Sequence, residues 1–174
     1  MTTPRRGRLD DAPLEQLFPD SGEDDFALVR HAAARIAEAC PPGIPVEWEW
    51  GPESLSTEIT VYDEAGDRLS FLLDADCSGE FCDSVYLAVN VACGCAERHT
   101  THVLDADTVL LTELADYQAF ALGFAFDLMA QRLTGWLKDE GTHTPAHWRS
   151  KAGLPAPGSL PSSAQGRDAG VITA

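Results

Sequence analysis

Basic side chains are scarce in this 174-residue chain, which has 12 lysines and arginines against 28 aspartates and glutamates. The formal net charge is −16. A field of this sign repels phosphate backbones, and attraction to phosphate normally dominates nucleic-acid affinity. Direct binding of DNA or RNA is therefore disfavoured. The partner class that the charge favours is a basic protein.

Long uncharged apolar runs are also missing. The longest charge-free piece of the apolar C-terminal helix, residues 117–126, is ten residues long and lies between two aspartates, whereas a helix needs ~20 apolar residues to cross hydrocarbon. Residues 1–20 do not combine a basic start with an apolar stretch of signal-peptide length. We expect no membrane association and a cytoplasmic location. The preference for arginine over lysine is typical of GC-rich bacterial genomes.

The familiar catalytic signatures are absent as well. The chain has no G-x-S-x-G elbow, no phosphate-binding loop, no G-x-G-x-x-G fingerprint and no H-E-x-x-H helix. Cys95 and His99 have the residue types of a nucleophile and its base, but their spacing alone defines no cleft. The sequence therefore favours a protein that is not an enzyme.

Regular periodicity is lacking at both ends of the chain. Residues 1–20 are rich in Pro, Arg and Asp, and residues 155–174 are rich in Pro, Gly and Ser. Such compositions predict disordered tails. Residues 21–154 are then a single domain, and at 44% apolar residues the chain has enough material for a core.

Within that domain the patterns predict an α+β fold. Apolar residues recur at helical spacing from Phe26 to Cys40, where Pro41 stops the run. Alternation of apolar and polar residues then predicts a five-stranded antiparallel meander. The strands are centred on residues 46–50, 59–62, 69–73, 85–91 and 100–104.

A long apolar helix is predicted over residues 112–138, packed on the sheet. It is apolar over most of its circumference, more than one sheet face can cover. A homodimer through the 112–138 helix would cover the excess, and so would the first helix together with a short final helix within 142–154. Both alternatives remain open at this stage.

Two thiols and two imidazoles lie within ten residues, at Cys93, Cys95, His99 and His102. This is a zinc ligand set, although both gaps are tighter than in the common zinc-finger spacing. Zinc is therefore a candidate cofactor. The alternative is buried cysteines with solvent-facing histidines.

Acidic residues cluster around two copies of Leu-Asp-Ala-Asp, at 73–76 and 104–107. In a meander the third and fifth strands run in the same direction, so both copies are predicted to emerge at one end of the sheet. The alternative is a solvated acidic rim. The predicted partner-binding cluster is Asp74, Asp76, Glu80, Asp83, Asp105 and Asp107.

The segment 74–80 also resembles the first half of a calcium loop. Position twelve, however, is Val85 where a bidentate glutamate is needed. An Asx turn, in which the carboxylate binds its own backbone, is the alternative.

Together these observations predict a small acidic interaction or regulatory protein with a basic protein partner, carrying zinc at the Cys93–His102 tip if the ligand set is used. One alternative is a small metal-dependent enzyme that uses this tip or the aspartate cluster. Another is an acidic mimic of nucleic acid that inhibits a nucleic-acid-binding protein.

Overall fold

The computed structural model describes residues 4–62, 68–78, 83–93, 100–115 and 120–138. Six antiparallel strands lie in sequence order in one sheet. The elements are β1 (Arg5–Gly7), a 3-10 helix (Leu9–Asp11), α1 (Leu14–Leu17), α2 (Glu23–Ala39), β2 (Trp48–Gly51), β3 (Ser54–Tyr62), β4 (Arg68–Asp76), β5 (Ser84–Cys93), β6 (Thr100–Leu110), α3 (Leu111–Ala115) and α4 (Ala121–Lys138).

One face of the sheet carries the core. Ile59, Phe71 and Val89 are paired across β3, β4 and β5 and are fully buried, because side chains of paired residues point to the same face. Helices α2 and α4 pack against each other, and α4 lies over β4 and β5. The rings of Trp48 and Phe126 have centroids 5.7 Å apart. Burying one side chain of this size contributes roughly 1.5–3 kcal/mol.

Helix α2 matches the predicted N-terminal helix. Its first turn contains Glu23, Asp24 and Asp25, which suit the positive end of the helix dipole. The Asp25 carboxylate also accepts a hydrogen bond from the Gly22 backbone N–H at 3.3 Å. The helix ends at Ala39, just before the two prolines at 41 and 42.

The α+β class and the antiparallel meander are confirmed, but the count of five strands is wrong. The additional strand is β1, which pairs with β2. It lies within the segment 1–20 that the sequence assigned to a disordered tail. Four apolar side chains that follow β1 are buried in the core, namely Leu9, Leu14, Leu17 and Phe18. The elements here have three or four residues each, too few to show a period.

The single helix predicted over 112–138 is not confirmed. The structure has α3 and then α4, with residues 116–119 outside the described part. Helix α3 follows β6 without any connection.

The predicted final helix within 142–154 and the predicted tail 155–174 lie outside the described residues. Among the helices that are described, none is both long enough and apolar enough to span a membrane.

Candidate functional site

The proposed zinc ligands lie only partly within the described residues. Cys93 and His102 occupy β5 and β6, and their backbone positions are on the same face of the sheet because Val91 pairs with His102. Cys95 and His99 are outside the described part, so the zinc site and the Cys95–His99 pair stay predictions. Among the residues that are described, no group of three or more His, Cys, Asp or Glu could hold a metal ion.

The predicted aspartate cluster is divided between the two faces of the sheet. Asp74 pairs with Tyr86, which pairs with Thr108. Asp107 instead pairs with Leu87, whose side chain is buried on the face of the sheet that carries the core. The two Leu-Asp-Ala-Asp copies are therefore offset by an odd number of residues across the sheet, and an odd offset reverses the face.

Asp105 and Asp107 lie inside β6, on the helix-covered face, and are bound by α4. The Arg132 guanidinium donates to both carboxylates, with Nε 2.8 Å from Asp105 Oδ2. Trp136 Nε1 donates to the same Asp105 oxygen at 2.8 Å. Burial acts to raise the pKa of Asp105, but the hydrogen bonds from Arg132 and Trp136 outweigh it and leave that pKa below its usual value. These two acids stabilise the fold.

Asp74 and Asp76 lie on the opposite face. Burial, followed by repulsion from Asp76, raises the pKa of Asp74. Asp76 Oδ1 accepts a hydrogen bond from the Ser78 N–H at 2.9 Å, which is the Asx turn expected as the alternative to a calcium loop. Glu80 lies outside the described residues, and Asp83 directly precedes β5.

A cavity of about 380 Å³ opens at the end of the sheet where β4 ends and β5 begins. Its volume falls within the range of small-ligand sites. Seven segments meet there: the α1–α2 connection, the first turn of α2, the β2–β3 turn, the segment after β4, the residue before β5, α3 and the start of α4. We call it the acidic cavity, and it is lined by Phe18, Pro19, Asp20, Ser21, Asp25, Glu53, Cys77, Asp83, Leu111, Thr112, Ala115, Ala121 and Leu122.

The described lining of the acidic cavity contains four carboxylates, Asp20, Asp25, Glu53 and Asp83. Burial raises the pKa of the Cys77 thiol to about 12, and repulsion from Asp83, Asp76, Glu53 and Asp20 adds to the effect. Asp83 Oδ1 is shielded from solvent and has no hydrogen-bond partner among the residues that the structure describes. None of the described residues that line the cavity is basic.

Backbone hydrogen bonds hold the acidic cavity in shape. The Cys77 N–H donates to the Glu53 carbonyl at 2.8 Å, and the Leu111 N–H donates to the Asp83 carbonyl at 2.8 Å. The buried Asp25 carboxylate accepts from the Gly123 N–H at 2.7 Å and so joins the first turns of α2 and α4. These hydrogen bonds fix the backbone positions of Glu53, Asp83 and Asp25 relative to their neighbours.

The described arginines do little to neutralise this region, because most of them pair elsewhere. Each pair joins an arginine to a carboxylate that does not line the acidic cavity. The pairs are Arg6–Glu49, Arg8–Asp10, Arg30–Glu23, Arg35–Asp127 and Arg132 with Asp105 and Asp107.

A second groove of about 440 Å³ lies on the sheet face that α2 and α4 leave open. Its acids are Glu47, Glu49 and Glu58, and unlike the acidic cavity it contains an arginine, Arg6, which is bound to Glu49 at 2.7 Å. The groove therefore carries its own counter-charge.

Sequence reasoning found Asp76 and Asp83 at this end of the sheet but missed Asp20 and Glu53. Asp20 was assigned to a tail, and Glu53 belongs to a tight turn between two strands. No local motif connects the two residues. Only the meander brings the β2–β3 turn next to Cys77, through the backbone bond between Cys77 and Glu53.

Comparison with protein-family models, curated proteins and solved structures found no match to this chain.

Proposed function

We propose that this protein is a non-catalytic interaction or regulatory protein that binds a basic protein partner through the acidic cavity. The observation that carries the proposal is the cavity itself: a ligand-sized space whose described lining holds several carboxylates and no basic residue. Most of the described arginines are committed to other acids. In this proposal a cation of the partner supplies the counter-charge that the described lining lacks.

Steering and affinity then have separate sources. The net charge of −16 attracts a basic surface from a distance and raises the association rate. At short range, an ammonium or guanidinium group placed near Asp83 satisfies a carboxylate oxygen that has no hydrogen-bond partner within the described part of the chain. Phe18, Leu111 and Leu122 offer apolar surface to the aliphatic stem of the same side chain.

A defined basic probe tests the proposal. The probe is a fluorescent peptide of arginine, glycine and serine, and its control is the same peptide with glutamine in place of arginine. Binding is measured by fluorescence anisotropy at low and high NaCl. We expect the arginine peptide to bind, with an affinity that falls as salt rises, and the glutamine peptide not to bind.

Two variants of equal charge change locate the binding site. Glu53→Gln/Asp83→Asn removes two carboxylates from the acidic cavity, and Glu47→Gln/Glu58→Gln removes two from the second groove. We expect the first variant to weaken binding of the arginine peptide roughly tenfold and the second roughly twofold or less. Circular dichroism checks that both variants stay folded. Equal losses in both variants, or no binding by the wild type, would overturn the proposal.

A further inference from the structure

Helix α4 exposes an apolar stripe on the side that faces away from the sheet. Phe120, Phe124 and Leu128 are spaced four residues apart, with 42%, 42% and 43% of their surfaces exposed. The Phe124 N–H donates to the Phe120 carbonyl at 3.0 Å, so Phe120 belongs to the same helical turn. The stripe is about 12 Å long at the helical rise of 1.5 Å per residue.

The apolar stripe begins at the rim of the acidic cavity. Ala121 and Leu122 line the cavity, and Phe120 is the residue directly before them. Carboxylates and exposed aromatic surface are thus adjacent at the start of α4. Three large apolar side chains in a row on a helix face are unusual on a solvated surface and indicate a contact site.

We infer that the apolar stripe and the acidic cavity together dock a basic amphipathic helix of the partner. This inference rests on the proposed function and specifies the partner's form. Apolar side chains of the docked helix pack against Phe120, Phe124 and Leu128, as ridges of one helix fit grooves of another. A lysine or arginine at the end of that helix enters the acidic cavity.

Charge complementarity selects this occupant over a second copy of the chain. A second copy also carries a charge of −16 and brings its own acidic cavity, so the apolar contact would form against repulsion. A basic helix gains from both parts of the surface. Its aliphatic and aromatic side chains cover the stripe, and its cationic side chains neutralise Glu53 and Asp83.

Two peptides of about 18 residues test the inference, since shorter helices are marginal in water. The first places leucines at every fourth position and arginines on the opposite face. The second has the same composition in a scrambled order with no apolar face. We expect the amphipathic peptide to bind the wild type at least tenfold more tightly than the scrambled peptide. The double variant Phe124→Ser/Leu128→Ser should lose this preference and keep its weak affinity for the scrambled peptide.

Val103→Ser is the matched control, because Val103 is an exposed apolar residue outside the stripe, 64% exposed. It should leave the tenfold preference unchanged. Equal binding of both peptides to the wild type overturns the docked helix but leaves the proposed function standing, whereas failure of both peptides overturns the two together. Sedimentation of the peptide-free protein tests whether a second copy of the chain binds the stripe. A wild-type dimer that Phe124→Ser/Leu128→Ser dissociates would assign the stripe to a second copy and would overturn the inference.

Discussion

Glu53 is held in a backbone conformation that favours glycine. Its φ is 59°, in the left-handed region, at the turn between β2 and β3. A side chain costs roughly 1 kcal/mol there. We expect Glu53→Gly to raise the free energy of unfolding in urea by roughly 0.5–1 kcal/mol, and to weaken binding of the arginine peptide. A charged residue that is kept in a destabilising backbone conformation is more readily explained by a role in binding than by a role in stability.

Glu53→Gln separates the two effects. Glutamine keeps the unfavourable conformation but removes the charge, so the free energy of unfolding should change little while peptide binding weakens. A lower free energy of unfolding for Glu53→Gly than for the wild type would mean that the left-handed backbone conformation does not destabilise the wild type.

Asp105 makes the stability depend on pH. Its folded-state pKa is lowered, chiefly by Arg132 and Trp136 acting against burial. A lowered carboxyl pKa contributes stability above the unfolded value near 3.9, and this contribution is lost as pH falls through the folded-state pKa. We expect Asp105→Asn to cost roughly 1–3 kcal/mol at pH 7, and the difference from the wild type to shrink to zero in acid.

Urea unfolding at several pH values measures this difference. Asp10→Asn is the control, because Asp10 pairs with Arg8 at the surface, where its side chain is 73% exposed. An exposed pair contributes little. A deficit in Asp105→Asn that persists unchanged at low pH would contradict the assignment.

At the scale of elements, the close crossing of α2 and α4 depends on Gly123. A Cβ added there would lie 2.9 Å from the backbone of Asp25 and 2.9 Å from Leu28 Cβ. Backbone atoms cannot move aside without separating the helices. We therefore expect Gly123→Ala to lower the free energy of unfolding by roughly 1–3 kcal/mol, although alanine favours helix.

Gly135→Ala on the same helix is the control. Nothing lies within 4 Å of a Cβ at this position, so alanine should stabilise the protein by roughly 0.5–1 kcal/mol through helix propensity alone. Thermal unfolding followed by circular dichroism compares the two variants. Equal effects would mean that α2 and α4 can separate at no cost.

Elements with a full period could be predicted from the sequence. Alternation over residues 69–73 and 85–91 located β4 and β5, and the helical spacing from Phe26 located α2. The sequence missed β1 because three residues show no period and because Leu14 and Phe18 look isolated beside Pro13 and Pro19. Short elements depend on the surface they cover, which the local sequence does not show.

The candidate site could be predicted only in part, for a reason of register. The end of β4 and Asp83 were placed together correctly. Asp105 and Asp107 were grouped with them because β6 was expected to end at Leu104, whereas it continues to Leu110. The bulge between Val89 and Asn90 and the offset of β6 decide which face these aspartates occupy. Neither feature has a signal in the sequence.

At the scale of the molecule, the uncompensated charge makes stability increase with salt. The chain carries 28 acids and 12 bases, and repulsion among the unpaired acids opposes folding. We expect the melting temperature to rise by roughly 2–5 °C between low salt and 0.5 M NaCl. Peptide binding should weaken over the same range. A melting temperature that falls with NaCl would mean that the internal ion pairs outweigh the repulsion.

The ion pairs of Arg132 with Asp105 and Asp107 also affect the solubility of the protein. Among the described strands, β6 has a neighbour on one side only, so its other side offers free backbone groups to any intruding strand, the first step toward aggregation. The charged side chains of Asp105 and Asp107 and the bulge at Val89/Asn90 make β6 hard to flatten against such a strand. Asp105→Val/Asp107→Val should therefore form thioflavin-positive fibrils on incubation, while the wild type stays monodisperse by light scattering; a clear solution of the variant would contradict this. Arg132, which binds α4 to β6 through these two aspartates, thus also helps to keep the protein from polymerising.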